Sequence, residues 1–177
     1  NADDFYGRDA FAKAAAFLNT DCSPRIYSII GYELLKTLSD HGTVNRGVCE
    51  VDAKNNLTSI RERLTISLQK NQIVCEDGVE PKVLPIDAQA SMNFWCFDHS
   101  IFNYSQKLFD EFLDQNISNP KAEFFIPIVA HQFIKEGGKV EVIPRTSLWF
   151  GVTYKEDAPF VQQSLDKLIT NGEYPKN

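Results

Sequence analysis

Runs of β-branched and aromatic residues alternate along this chain with segments of helical period, and that alternation restricts the fold more than any other feature. Residues 25–33 (RIYSIIGYE), 47–52, 57–66, 90–97 (ASMNFWCF) and 139–143 read as strands. Residues 8–18, 100–113 and 127–136 place apolar side chains three and four apart, so they read as helices. A last helix opens at Pro159, turns Val161, Leu165, Leu168 and Ile169 inward, and stops at Gly172. Pro127 cannot sit deep in a helix and so starts one, which Gly137-Gly138 ends. The polar turn Asn55-Asn56 joins two strands into a hairpin. Residues 38–47 suggest a mobile loop, and 67–88 are hard to read beyond a short strand at Ile73-Val74. Strands that alternate with helices predict an α/β, mainly three-layer architecture with a β-hairpin insertion.

Composition narrows the function. At 177 residues with 43% hydrophobic residues, the chain reads as a single domain, 1–177, with a real core. A net charge of −6 and scattered basic residues argue against nucleic acid as a partner. No apolar run approaches the roughly 18 residues of a membrane helix, so no membrane partner is expected. Cys22, Cys49, Cys75 and Cys96 form no C-x-x-C pair and fit no zinc pattern. Buried free thiols of a cytoplasmic protein are the expectation. Met92 is the one methionine and Asn1 stands first, so the chain reads as trimmed, with a strand expected upstream.

Chemistry is suggested at predicted strand ends, where α/β sheets bind ligands. Asn1-Ala2-Asp3-Asp4-Phe5-Tyr6-Gly7 carries adjacent carboxylates just before a helix, a setting that suits a hard divalent cation. Turn residues and an Asp9 N-cap explain the same segment without a metal. Arg46 and Arg63 offer planar forks for phosphate, or are solvated surface arginines. Glu62 and Asn93 offer the hydrogen bonds that sugar hydroxyls need. Glu62 equally fits a cross-strand partner of a basic residue. Asn93, inside ASMNFWCF, must be satisfied if it is buried.

Taken together, these segments resemble the sugar-1-phosphate nucleotidyltransferases. NADDFYG is similar to that family's strand-end metal motif, and Gly42 to Asp52 to its glycine-valine segment with an acidic strand. Ser59-Ile60-Arg61-Glu62-Arg63 is similar to its I-x-E-K element, and Ser91 to Trp95 to its sugar-contacting strand. The resemblance implies a three-layer, Rossmann-like nucleotide-diphospho-sugar transferase sheet, here truncated at the N-terminus. It implies Mg²⁺ as cofactor, sugar 1-phosphate and nucleoside triphosphate as partners, and room for a homo-oligomer. It assigns Asp3 and Arg63 to catalysis, and Glu62, Asn93 and Arg46 to substrate. Asp3, Asp4 and Asp157 are its metal candidates. The chain departs from the family at Trp149 to Thr153, where an aspartate-containing turn is usual. Asp157 stands in for it there, or simply caps the last helix. No G-x-G or glycine-rich basic loop occurs, so this chain alone is expected to be inactive. The alternative is a non-catalytic sugar-phosphate-binding or regulatory module.

Overall fold

A computed structural model describes residues 4–144 and 149–175. Asp3, expected in the metal site, lies outside the described residues. The chain runs β1 (Asp4–Phe5), α1 (Arg8–Thr20), β2 (Ile26–Glu33), a 3₁₀ turn (Leu34–Thr37), β3 (Val44–Val51) and β4 (Leu57–Gln69). Next come β5 (Gln72–Cys75), β6 (Val83–Leu84), β7 (Gln89–Cys96), α2 (Ile101–Asn116) and α3 (Ile126–Lys135). The chain then forms β8 (Lys139–Pro144), β9 (Phe150–Gly151), a second 3₁₀ turn (Lys155–Asp157) and α4 (Ala158–Thr170).

Seven strands form one mixed sheet in the order β6-β5-β4-β3-β7-β2-β8, and β1 pairs separately with β9. Within the seven-stranded sheet β2 and β8 are parallel, while the remaining neighbours are antiparallel. Six successive residues of β2 are buried, which explains its unbroken apolar run: both of its faces are covered. Ala10, Ala14 and Phe17 of α1 pack on Ile30, Tyr32 and Met92 from one side. Ile101 of α2 and Val129 and Phe133 of α3 pack on Tyr27, Ile29 and Val142 from the other. The expected three layers are therefore present around β2, β7 and β8.

Three expectations need correction. The hairpin is no insertion, because β3 and β4 lie within the main sheet and continue it toward β5 and β6. That half has its own core of Val44, Ile66, Ile73, Cys75 and Leu84. The presumed loop over 38–47 is already a strand from Val44 onward. Asn55 takes the left-handed conformation at φ 61° in the hairpin turn. Asp52 Oδ1 accepts the backbone N–H groups of Lys54 and Asn56 at 2.8 and 2.9 Å, which holds that turn closed. Asp9 does not cap α1: the N-cap is Gly7, and Asp9 pairs with Lys13 at 3.1 Å. All four cysteines are free, and Cys49, Cys75 and Cys96 are buried. Among the described residues no helix is long and apolar enough to cross a membrane.

Candidate functional site

The site is built on register. Gly47 of β3 lies opposite Glu62 of β4 on one side and opposite Ser91 of β7 on the other. One row across three strands thus carries a carboxylate, a bare backbone and a hydroxyl. A Cβ on Gly47 would come within 3.3 Å of Ile60 Cδ1 and 3.4 Å of Ser91 Cβ, so the glycine keeps the floor of this row open. Over the row lies a cavity of about 300 Å³. Asp4 of β1, Arg46, Glu62, Asn93, Trp149 and the first turn of α3 at Pro127 all line it.

Asn93 reaches the cavity through a bulge. The β2–β7 register slips between the pairs Ile29–Trp95 and Gly31–Ser91. Within the slip Asn93 adopts φ 59°, a left-handed conformation that asparagine tolerates better than most residues. Its backbone N–H donates to Ser91 Oγ at 3.2 Å. The residue is exposed and lines the cavity, so the condition under which its amide would need a buried partner does not arise. Bulges of this kind re-aim side chains beside functional sites. The Tyr6 hydroxyl lies 2.8 Å from the carbonyl of Met92 and 3.1 Å from Asp4 Oδ2, which ties the carboxylate to the bulge.

Arg46 is the cationic centre. Its Nη1 donates to the Asn45 carbonyl at 2.8 Å and its Nη2 to the Thr37 carbonyl at 2.7 Å. The guanidinium carbon sits 5.3 Å from the centre of the Trp149 ring. Burial pushes the Arg46 pKa down, while Asp4, Glu62 and Asp157 pull it back up. Glu62 answers in kind: desolvation raises its carboxyl and the charge of Arg46 lowers it. The pocket therefore holds a fixed cation among carboxylates, with none of them closing a salt bridge to it among the described residues.

Arg63 is elsewhere. It follows Glu62 on a strand that continues to Gln69, so the two side chains leave opposite faces. Arg63 is only 4% exposed. Its Nε and Nη2 donate to the Asp77 carboxylate at 2.6 and 3.0 Å. Nη2 also donates to the carbonyls of Val79 and Pro81 at 2.6 and 3.0 Å. The expected catalytic residue is a strut that ties β4 to the segment between β5 and β6.

Asp157 also has other duties. Its Oδ2 accepts the backbone N–H groups of Thr153 and Tyr154 at 3.1 and 2.7 Å, and its Oδ1 accepts the Ser39 hydroxyl at 3.0 Å. It stands at the N-cap position of α4 but its side chain bonds no amide of that helix; it closes the 3₁₀ turn ahead of it instead, so neither the metal role nor the side-chain cap of the last helix is what it does. Among the described residues no three His, Cys, Asp or Glu side chains converge as metal ligands would. Asp4 and Glu62 both line the cavity, and they are the carboxylates there that could hold a hard cation if one were bound.

Sequence reasoning passed over Trp149. Its segment drew notice for a missing aspartate, not for the indole that backs Arg46. A second cavity of about 510 Å³ shares Asp4 and Asn93 with the first and is walled by Phe5, Tyr6, Phe11, Phe94 and Tyr174. Compared with known proteins, the chain matches no family model and no curated protein.

Proposed function

We propose that this chain carries the sugar-phosphate site of a sugar-1-phosphate nucleotidyltransferase, and that its sheet is the Rossmann-like sheet of that class. One observation supports this reading. Asp4, Arg46, Glu62 and Asn93, singled out on separate segments of the sequence, line a single cavity. In this reading Glu62 accepts hydrogen bonds from sugar hydroxyls, and the Asn93 amide both donates and accepts. Arg46, already held by two carbonyls, takes the sugar phosphate without reorganising. Arg63 has no part in it. A phosphate oxygen attacks the α-phosphorus of the nucleotide, the bond to the β-phosphate breaks, and pyrophosphate leaves. The chain contributes orientation of the attacking phosphate and neutralisation of its charge. Bound at the Asp4 corner, Mg²⁺ would supply Lewis-acid charge neutralisation to the transferring phosphoryl group.

The turn-closing bonds of Asp157 favour a second reading, a sugar-phosphate-binding module without transfer, because they engage the expected second metal ligand. Calorimetric titration with sugar 1-phosphates tests the site on this chain, and a pyrophosphate-release assay with nucleoside triphosphates and Mg²⁺, run on the full-length protein because this chain alone is expected to be inactive, separates the two. Binding with release by the full-length protein supports the enzyme, and binding without release supports the module. Absence of any sugar-phosphate binding refutes both. Arg46→Met should weaken sugar phosphates by about tenfold to a hundredfold, the loss of one hydrogen bond to a charged group.

A further inference from the structure

The first cavity is polar and holds a cation; the second, beside it, does neither. Its walls are the rings of Phe5, Tyr6, Phe11, Phe94 and Tyr174, and Asp4 is the one charged side chain among the described residues that line it. Arg46 lines the first cavity and not the second. The two spaces meet at Asp4 and Asn93 and yet select for opposite charge.

The rings have surface to offer a ligand. Phe11 is 58% exposed, and Phe5, Phe94 and Tyr174 are half-buried. Tyr6, Phe11 and Phe94 form a triangle with ring centres 5.0, 5.0 and 6.4 Å apart and planes at 55° to 85° to one another. The steep angles matter, because stacked rings hide each other's faces whereas tilted rings leave face area over. Phe5 is stacked on Phe150 at 4.3 Å, which covers one of its faces, and Tyr174 meets it at 61°. Centres this close together put several rings within the roughly 6 Å over which an aromatic face attracts a cation.

We propose that the second cavity is a cage for a methylated ammonium group, held by the aromatic rings and by the charge of Asp4. Any ligand that fills this space takes water from the Asp4 carboxylate, and a neutral apolar group returns no charge in its place. A primary ammonium brings three N–H donors, for which the aromatic walls supply no oxygen or nitrogen acceptor, whereas a trimethylammonium brings none. Methylation thus suits the walls, and the positive charge suits the Asp4 corner. The cage stands apart from the sugar-phosphate reading, which concerns the first cavity.

The test titrates choline, its uncharged analogue with carbon in place of nitrogen, and ethanolamine into isotopically labelled protein in the absence of Mg²⁺. Binding is read from backbone amide NMR shifts, which also locate the site. Choline should shift the amides of Gly7, Phe11 and Phe94 saturably. The carbon analogue, which keeps the shape and loses the charge, should bind about threefold more weakly or worse. Ethanolamine should also bind more weakly than choline. Phe11→Leu, at an exposed position, and Asp4→Asn should each weaken choline by about threefold to thirtyfold while leaving the carbon analogue within about twofold. A merely apolar site would take the carbon analogue as well as it takes choline, and that result overturns the cage. So does saturation at amides remote from this cavity, and so does the absence of any shift. The comparison of the three ligands on wild type decides the matter even where a variant fails to fold. None of these results bears on the sugar-phosphate reading, which stands or falls on the titration with sugar 1-phosphates.

Discussion

Replacing Arg63 by methionine removes a buried cation while keeping most of the volume of its stem. In the folded chain that guanidinium makes two bonds to Asp77, at 2.6 and 3.0 Å, and two more to the carbonyls of Val79 and Pro81. The Arg63 and Asp77 side chains are each 5% exposed. Four charge-assisted bonds at about 1.5–3 kcal/mol apiece set an upper bound of roughly 6–12 kcal/mol. Neighbouring bonds do not add, and water reaches some of the abandoned acceptors, so the loss is smaller. Breaking a buried pair by removing one partner costs about 3–5 kcal/mol. For a chain of this size each kcal/mol moves the midpoint by about 2–4 °C, so thermal unfolding followed by circular dichroism should drop by about 6–20 °C. Binding of sugar phosphate, measured well below the new midpoint, should stay within about twofold of wild type. The double variant Arg63→Met/Asp77→Leu should recover much of the lost stability, because it leaves no unpaired buried charge. A midpoint within 2 °C of wild type, or a loss of ligand affinity without a loss of stability, would refute the argument and return Arg63 to the binding site.

The close packing at Gly151 predicts that Gly151→Ala displaces the Trp149 ring or the Asp4 carboxylate. Overpacking of this kind costs about 1–3 kcal/mol, so a modest fall in midpoint should accompany weaker phosphate binding, and an unchanged affinity would count against the pocket geometry. The hydrogen bonds from Arg63 hold the Asp77 carboxyl well below the usual carboxylate range. The unfolded chain therefore takes up a proton there at a higher pH than the folded one. The stability this contributes is present above about pH 5 and is lost as the pH falls through about 4 and lower. Asp77→Asn should flatten the acid limb of a midpoint-against-pH curve, and parallel limbs in variant and wild type would show that the pair does not titrate in this way.

What the sequence determined on its own is whatever depends on neighbours a few residues apart. The apolar spacing of α1, the strand character of 25–33 and 90–97, the turn at Asn55-Asn56 and the helix stop at Gly137-Gly138 are all local, and all are present. Glu62 and Arg63 had to leave opposite faces of any continuous strand, and only the course of β4 past residue 63 decided that both cannot serve one ligand. Which face carried the pocket was settled by pairing: Glu62 and Ser91 flank Gly47 in register, while Asp77 meets Arg63 from a segment with little readable pattern. Whether Asn93, set among apolar neighbours, is buried was open in the sequence; it is exposed, at the slip between β2 and β7. Trp149 became part of the site only through its contact with Arg46, a hundred and three positions earlier in the chain. Periodicity is a property of a single segment. Register, bulges and long-range pairing are decided when distant segments compete to bury the same apolar faces and satisfy the same polar groups, and that competition is visible only in the folded chain.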